Sequence, residues 1–271
     1  MSSVIFNSVV VWWAGAKDDW LATVDKQYCN AELVNPYTGR RISLPPLSTI
    51  PEVQIEEDRT VVFEGGEYSF RRIVVCETPP SGTGAAHNGY LAVAMLSAPL
   101  LAITRAGDAS WTPLMTPFDP TMSYCVECTD VVLHKGKVFA VSWSGDIYTW
   151  DMGSGAFPYP EPDPIRPPHI MEHYACRWNL AESADGRRLL LVAFLYHKSV
   201  QAAVHLYEMD VDDVVDTGGA DGGAGWSLVT SLGDHSLFLG ENYPFLARVV
   251  NDQDDRELLR PNYSMDMLSA Y

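Results

Sequence analysis

The side chains with the widest chemical repertoire stand in a few small groups. Cys125-Val126-Glu127-Cys128 is a C-x-x-C pair, and His169, His173 and Cys176 follow it. Thiolate and imidazole are the ligands of structural zinc, but such sites pair their couples at shorter, characteristic spacings. Buried thiols and loop histidines are therefore the expected reading, and no metal is assigned. Asp210, Asp212, Asp213 and Asp216 give a calcium-like density of carboxylates. They lack the central glycine and terminal glutamate of an EF-hand loop, which points to a solvated acidic loop. Glycoside hydrolysis needs two carboxylates flanking one bond, and Glu127 with Asp130 or Asp151 could be nominated. Asp151 follows Trp150 at a strand end, however, where aspartate commonly caps a turn. Ser142-Trp143-Ser144-Gly145 is a hairpin turn and not a nucleophile elbow, and Gly82-Thr83-Gly84 lacks the lysine of a phosphate-binding loop. No catalytic residue and no cofactor is assigned, and the chain is not expected to be an enzyme.

Recognition is the remaining chemistry. Trp111, Trp150 and Trp226 fall at equivalent positions of the repeating pattern described below, so they are expected to pack between sheets. Trp143 lies at a turn instead, and Tyr174, Arg177 and Tyr243 flank other inter-strand loops. Exposed Trp, Tyr and Arg are the types enriched at interface hot spots. These four are the candidate partner-binding residues.

The elements that must carry them are short strands. Residues 131–134, 137–142 and 147–150 form three runs rich in β-branched and aromatic residues, separated by Lys135-Gly136 and Ser144-Gly145-Asp146. Strands punctuated by Gly, Ser and Asp read as a meander. The same order recurs at 91–95, 100–104 and 111–114; at 20–24, 31–34 and 41–44; and at 188–196, 203–209 and 226–232. Units of about four strands repeated along a chain are the signature of propeller blades. The expected fold is all-β and β-propeller-like, with about four recognisable four-stranded blades plus a partial fifth around 235–239 and 263–265, as a single domain over residues 1–271.

The stretch 4–14 is apolar and is followed by Ala14-Gly15-Ala16, which resembles a signal cleavage site. It lacks a basic lead-in and fits an outer strand of the first unit better. The segment 48–67 is expected to be an acidic loop. Flexible loops are expected at 78–88, at the proline-rich 157–168, and at the acidic, glycine-rich 210–225.

Three stretches carry a resemblance to a known family. They are LVNPYTGRRISLPPL (33–47), DVVLHKGKVFAVSWSGDIYTWD (130–151) and SLGDHSLFLGENYP (231–244). Their order and spacing resemble the plant F-box-associated β-propeller family, a kelch-like propeller long catalogued as a domain of unknown function. The resemblance implies a substrate-receptor role in Skp1–cullin ubiquitin ligases. Nothing before Trp20 resembles an F-box, so Skp1 is expected as a partner only if an F-box lies outside this chain. The implied function is protein–protein recognition, presenting or sequestering a client for ubiquitin-ligase-linked regulation. The alternative from another class is a glycosidase-type propeller hydrolase with an axial carboxylate pair.

Composition narrows the partners. The 271 residues carry a formal net charge of −17, which disfavours nucleic acid and anionic membranes and suits a basic protein client. Five cysteines, an odd number, read as reduced thiols in the cytoplasm or nucleus. No run approaches the ~20 apolar residues of a membrane span.

Overall fold

The computed structural model describes residues 3–6, 9–25, 30–51, 53–55, 61–63, 66–68, 70–79, 89–96, 100–115, 118–119, 124–125, 127–161, 163–166, 176–197, 200–212, 225–239, 243–248 and 265–266. Among these the secondary structure is β-strand, apart from one 3-10 turn at Leu47–Thr49. Among the described residues no helix is long and apolar enough to cross a membrane. The chain divides into two compact units, residues 1–127 with 155–160 and 241–243, and residues 128–154 with 161–240 and 244–271.

In the first unit, β1 (Ser3–Phe6), β2 (Val9–Lys17), β3 (Trp20–Asp25), β4 (Ala31–Val34) and β5 (Arg41–Ser43) form an antiparallel meander in chain order. The apolar N-terminal stretch is thus two strands, the outer strand β1 and its neighbour β2. β6 (Val53–Ile55), β7 (Val61–Phe63) and β8 (Gly66–Tyr68) form a small sheet where the sequence suggested only an acidic loop. β9 (Phe70–Glu77), β10 (Leu91–Leu96), β11 (Leu101–Arg105) and β12 (Thr112–Leu114) form a four-stranded sheet. β13 (Phe118–Asp119) pairs with β14 (Tyr124–Cys125).

The first unit's core gathers Trp20, Leu33, Ile73 and Trp111 from both larger sheets. Burying side chains of this size contributes about 1.5–3 kcal/mol each. The Trp111 Nε1–H donates to the Pro45 carbonyl at 2.7 Å, so this ring also satisfies its polar edge. Close approach of two backbones sets Gly15 apart. A Cβ there would lie 2.0 Å from the Ile73 carbonyl oxygen, and only glycine leaves that space.

The NPYTG turn folds as its residues dictate. Asn35 is buried, and its Oδ1 accepts from the backbone N–H groups of Tyr37 (3.1 Å) and Thr38 (2.9 Å). Gly39 closes the turn at φ 70°. Asn35→Ala removes the acceptor for both donors, and is expected to lower stability by about 1–2 kcal/mol. A shift of the urea midpoint at unchanged slope would register it; an unmoved midpoint would contradict it.

In the second unit, β15 (Cys128–His134), β16 (Lys137–Ser142) and β17 (Ile147–Asp151) reproduce the meander read at 131–150. Lys135 (φ 46°) and Gly136 (φ 76°) both take positive φ, the geometry of a two-residue hairpin turn. Glu161 and Ile165 of the proline-rich segment bond to β17. Glu161 N–H donates to the Thr149 carbonyl at 2.8 Å, and Ile165 exchanges backbone bonds with Ile147 at 2.9 and 3.0 Å. Part of the loop expected to be flexible is thus bonded to β17.

The next sheet comprises β18 (Cys176–Glu182), β19 (Leu189–His197), β20 (Val200–Met209) and β21 (Ser227–Leu228). Beyond it, β22 (His235–Leu239) pairs antiparallel with β23 (Phe245–Arg248) and parallel with β24 (Met265–Asp266). Polar bonds fasten β15 to β18. Buried Asp130 accepts from Val131 N–H, from Asn179 Nδ2 and from Leu180 N–H, each at 2.9 Å. His134 Nδ1 lies 3.0 Å from Glu182 Oε1.

Candidate functional site

The turn between β16 and β17 is built to project one large ring. Ser142 N–H donates to the Asp146 carbonyl at 2.8 Å, Gly145 N–H donates to the Ser142 carbonyl at 3.0 Å, and Gly145 takes φ 90°. These bonds fix a tight loop of Ser and Gly, as the sequence indicated. Trp143 stands at its tip, 51% exposed. A large aromatic ring half open to water at a fixed turn is available for contact with another molecule.

Polar contacts brace the loop from behind. The hydroxyls of Ser142 and Ser144 lie 2.8 Å apart, and Ser144 Oγ donates to Asp146 Oδ2 at 3.2 Å. Arg166 Nη1 donates to Asp146 Oδ1 at 2.8 Å. The Asp146 side chain is 16% exposed, and that of Arg166 is 60% exposed. The carboxylate therefore sits behind while the guanidinium faces water. Trp226 joins from the start of β21, its Nε1–H donating to the Arg166 carbonyl at 2.9 Å. A turn tryptophan, a guanidinium and a half-buried tryptophan thus occupy one linked patch.

The other sequence candidates are placed differently. Tyr174 lies outside the described residues. Arg177, at the start of β18, is half-buried with its guanidinium 5.7 Å from the Phe194 ring centroid. Tyr243 was expected beside a loop and open to a partner, but it is buried, with Lys17 Nζ 3.4 Å from its ring centroid. The Tyr243 backbone N–H also donates to the Ala16 carbonyl at 3.2 Å, and this bond turns the residue inward. Trp111 and Trp150 are fully buried, as expected of packing residues, whereas Trp226 is only half-buried. Sequence reading missed Arg166 and Asp146. One signal was available: Arg166 is the single basic residue of FPYPEPDPIRPP.

The groups weighed for chemistry are held in local structure. Glu127 pairs with Arg71 at 2.9 Å, and both are exposed. Asp151 Oδ1 accepts from Gly153 N–H at 2.9 Å, the turn cap expected of it. Cys128 is a buried thiol, and Cys125 lies in β14. His169, His173, Asp213 and Asp216 fall outside the described residues. So does most of the loop expected at 78–88, and most of that at 210–225. Asp210 and Asp212 both hold the Lys135 ammonium, at 2.8 and 2.7 Å. Hydrogen bonding to Asp210 and then Asp212 raises the Lys135 pKa, and the bond from Lys135 lowers that of Asp210. Among the described residues no group of three or more His, Cys, Asp or Glu could hold a metal ion.

Antiparallel meanders of this kind, with almost no helix, define an all-β propeller protein. The chain belongs to the KIB1-4 beta-propeller family, whose model matches residues 10–262. No curated protein matches the chain. Solved structures similar to it include YCF48 from Cyanidioschyzon merolae, at 13% identity and TM-score 0.43, covering 87% of this chain and 66% of that one. Kuenenia stuttgartiensis hydrazine synthase is similar at 10% identity and TM-score 0.40, covering 84% and 57%. The WD40 domain of SCAP from fission yeast follows at 9% identity and TM-score 0.37, covering 85% and 55%. The chain thus spans under two thirds of the length of each of these proteins. The propeller part of the resemblance read from the three sequence motifs agrees with the family match.

Proposed function

We propose that this propeller is a protein-docking module without a catalytic centre of its own, and that the β16–β17 turn is where a client protein is held. The observation that carries this reading is Trp143, a large aromatic more than half exposed on a turn fixed by backbone and side-chain bonds. A pre-ordered aromatic loses little conformational entropy on binding, which is the property of an interface anchor. The client's fate follows from the family resemblance in the sequence: presentation to, or sequestration from, a ubiquitin ligase in the cytoplasm or nucleus.

Affinity capture with the immobilised chain tests this, compared side by side with Trp143→Ala. The truncation is expected to weaken retention of a specific client about tenfold or more, at a melting temperature close to the parent's. A client set that includes ubiquitin-ligase components supports the regulatory role. Identical sets retained equally by both proteins would remove the turn from consideration.

A further inference from the structure

The chemistry beside Trp143 specifies the partner more closely than the charge of the chain does. Arg166 uses Nη1 to reach Asp146, and its Nε and Nη2 bond to none of the described residues. A guanidinium presents its donors as a planar fork, and the Nε–Nη2 edge matches the two oxygens of a carboxylate. Asp146 holds the fork in place from the less exposed side. This pre-orders the long side chain, which otherwise loses substantial rotamer freedom on binding. Trp226 fixes the backbone of Arg166 through its carbonyl. The site thus offers an open aromatic ring on the turn and a guanidinium fork fastened to Asp146 of the same turn.

We propose that this turn docks an acidic segment of a partner protein, with an Asp or Glu carboxylate on the outer edge of Arg166 and a neighbouring apolar side chain against Trp143. The inference rests on the docking role assigned above and names its ligand. It runs against the formal charge of −17, which taken alone favours a basic client. The local groups decide, because charges further away than about 8 Å are largely screened at physiological ionic strength. The distant carboxylates slow the encounter with an acidic segment, but they do not take part in the bound contact.

The test uses the whole purified chain against a display library of random peptides, followed by fluorescence anisotropy with labelled peptides from the enriched set. Sequences pairing Asp or Glu with Leu, Ile or Phe are expected to be enriched, with affinity that falls as salt is raised. Arg166→Gln is expected to weaken their binding about tenfold, as is Trp143→Ala. Arg166→Lys keeps a cation for Asp146 but lacks the fork, and is expected to stay close to Arg166→Gln rather than to the parent. That comparison separates recognition by the fork from simple bracing of the loop. Enrichment of Lys- and Arg-rich peptides, or parent-like affinity in Arg166→Gln, overturns the inference. If Trp143→Ala abolishes client retention while Arg166→Gln preserves it, the docking role stands and the acidic ligand falls. Absence of any enriched peptide, together with unchanged client retention in Trp143→Ala, rejects both.

Discussion

Gly15→Ala is expected to melt roughly 6–12 °C below the parent, corresponding to about 3 kcal/mol in a chain of this size. The added Cβ would lie 2.0 Å from the Ile73 carbonyl oxygen and 3.2 Å from its carbon. Neither atom can swing aside as a side-chain tip would. Ile73 is itself paired with Ala94 in the β9–β10 ladder, and Gly15 sits at a register irregularity between β2 and β3. Relief requires moving a strand away from the core that holds Trp20 and Trp111. The lower entropy of an alanine in the unfolded chain offsets only about 0.4–1 kcal/mol. A thermal melt by circular dichroism decides the matter, and a shift within about 2 °C would show that β2 and β9 can separate freely.

Asp130→Ala should be as severe, through polarity instead of volume. It strips the acceptor from the Asn179 amide and from the Leu180 backbone N–H, both bound at 2.9 Å inside the second unit. Leaving a buried donor without its acceptor costs about 1–3 kcal/mol for each group, because the groups left behind have lost their water and gained nothing in return. Asp130→Asn keeps one acceptor oxygen but turns an NH2 group toward N–H donors, so it should fall between alanine and the parent. Denaturant midpoints in the order parent, Asn, Ala are expected. An alanine variant as stable as the parent would mean that the Asp130 bonds contribute nothing to holding β15 against β18.

The elements legible in the sequence were those whose turns and strands gave the same signal. Lys135-Gly136 lies between two β-branched runs, and the hairpin formed there with both residues at positive φ. Asn35 to Gly39 likewise combined a side-chain acceptor with a glycine of positive φ. Other elements were hidden by stronger local signals. Val53, Ile55, Val61 and Phe63 alternate as strand residues should, but the surrounding carboxylates made the stretch look like solvent-exposed loop. Phe245–Arg248 is only four residues long, too short for periodicity to separate from loop. Tyr243 failed as a surface candidate because a residue next to a loop can still be turned inward by one backbone bond, and no spacing rule encodes that bond. Arg166 was missed because its partner Asp146 is distant in sequence, and only the fold brings the two together.

The proline-rich edge of the β15–β17 sheet has a consequence for how the protein behaves at high concentration. Along an extended strand, successive N–H groups point to opposite sides. Glu161 and Ile165 turn theirs toward β17, so by this alternation position 164, next to Ile165, faces away from the sheet. Pro164 occupies this position and has no N–H to offer. A stray strand approaching here finds no donor at Pro164. That gap is set by the covalent structure of proline itself, so it holds at any pH and any salt concentration.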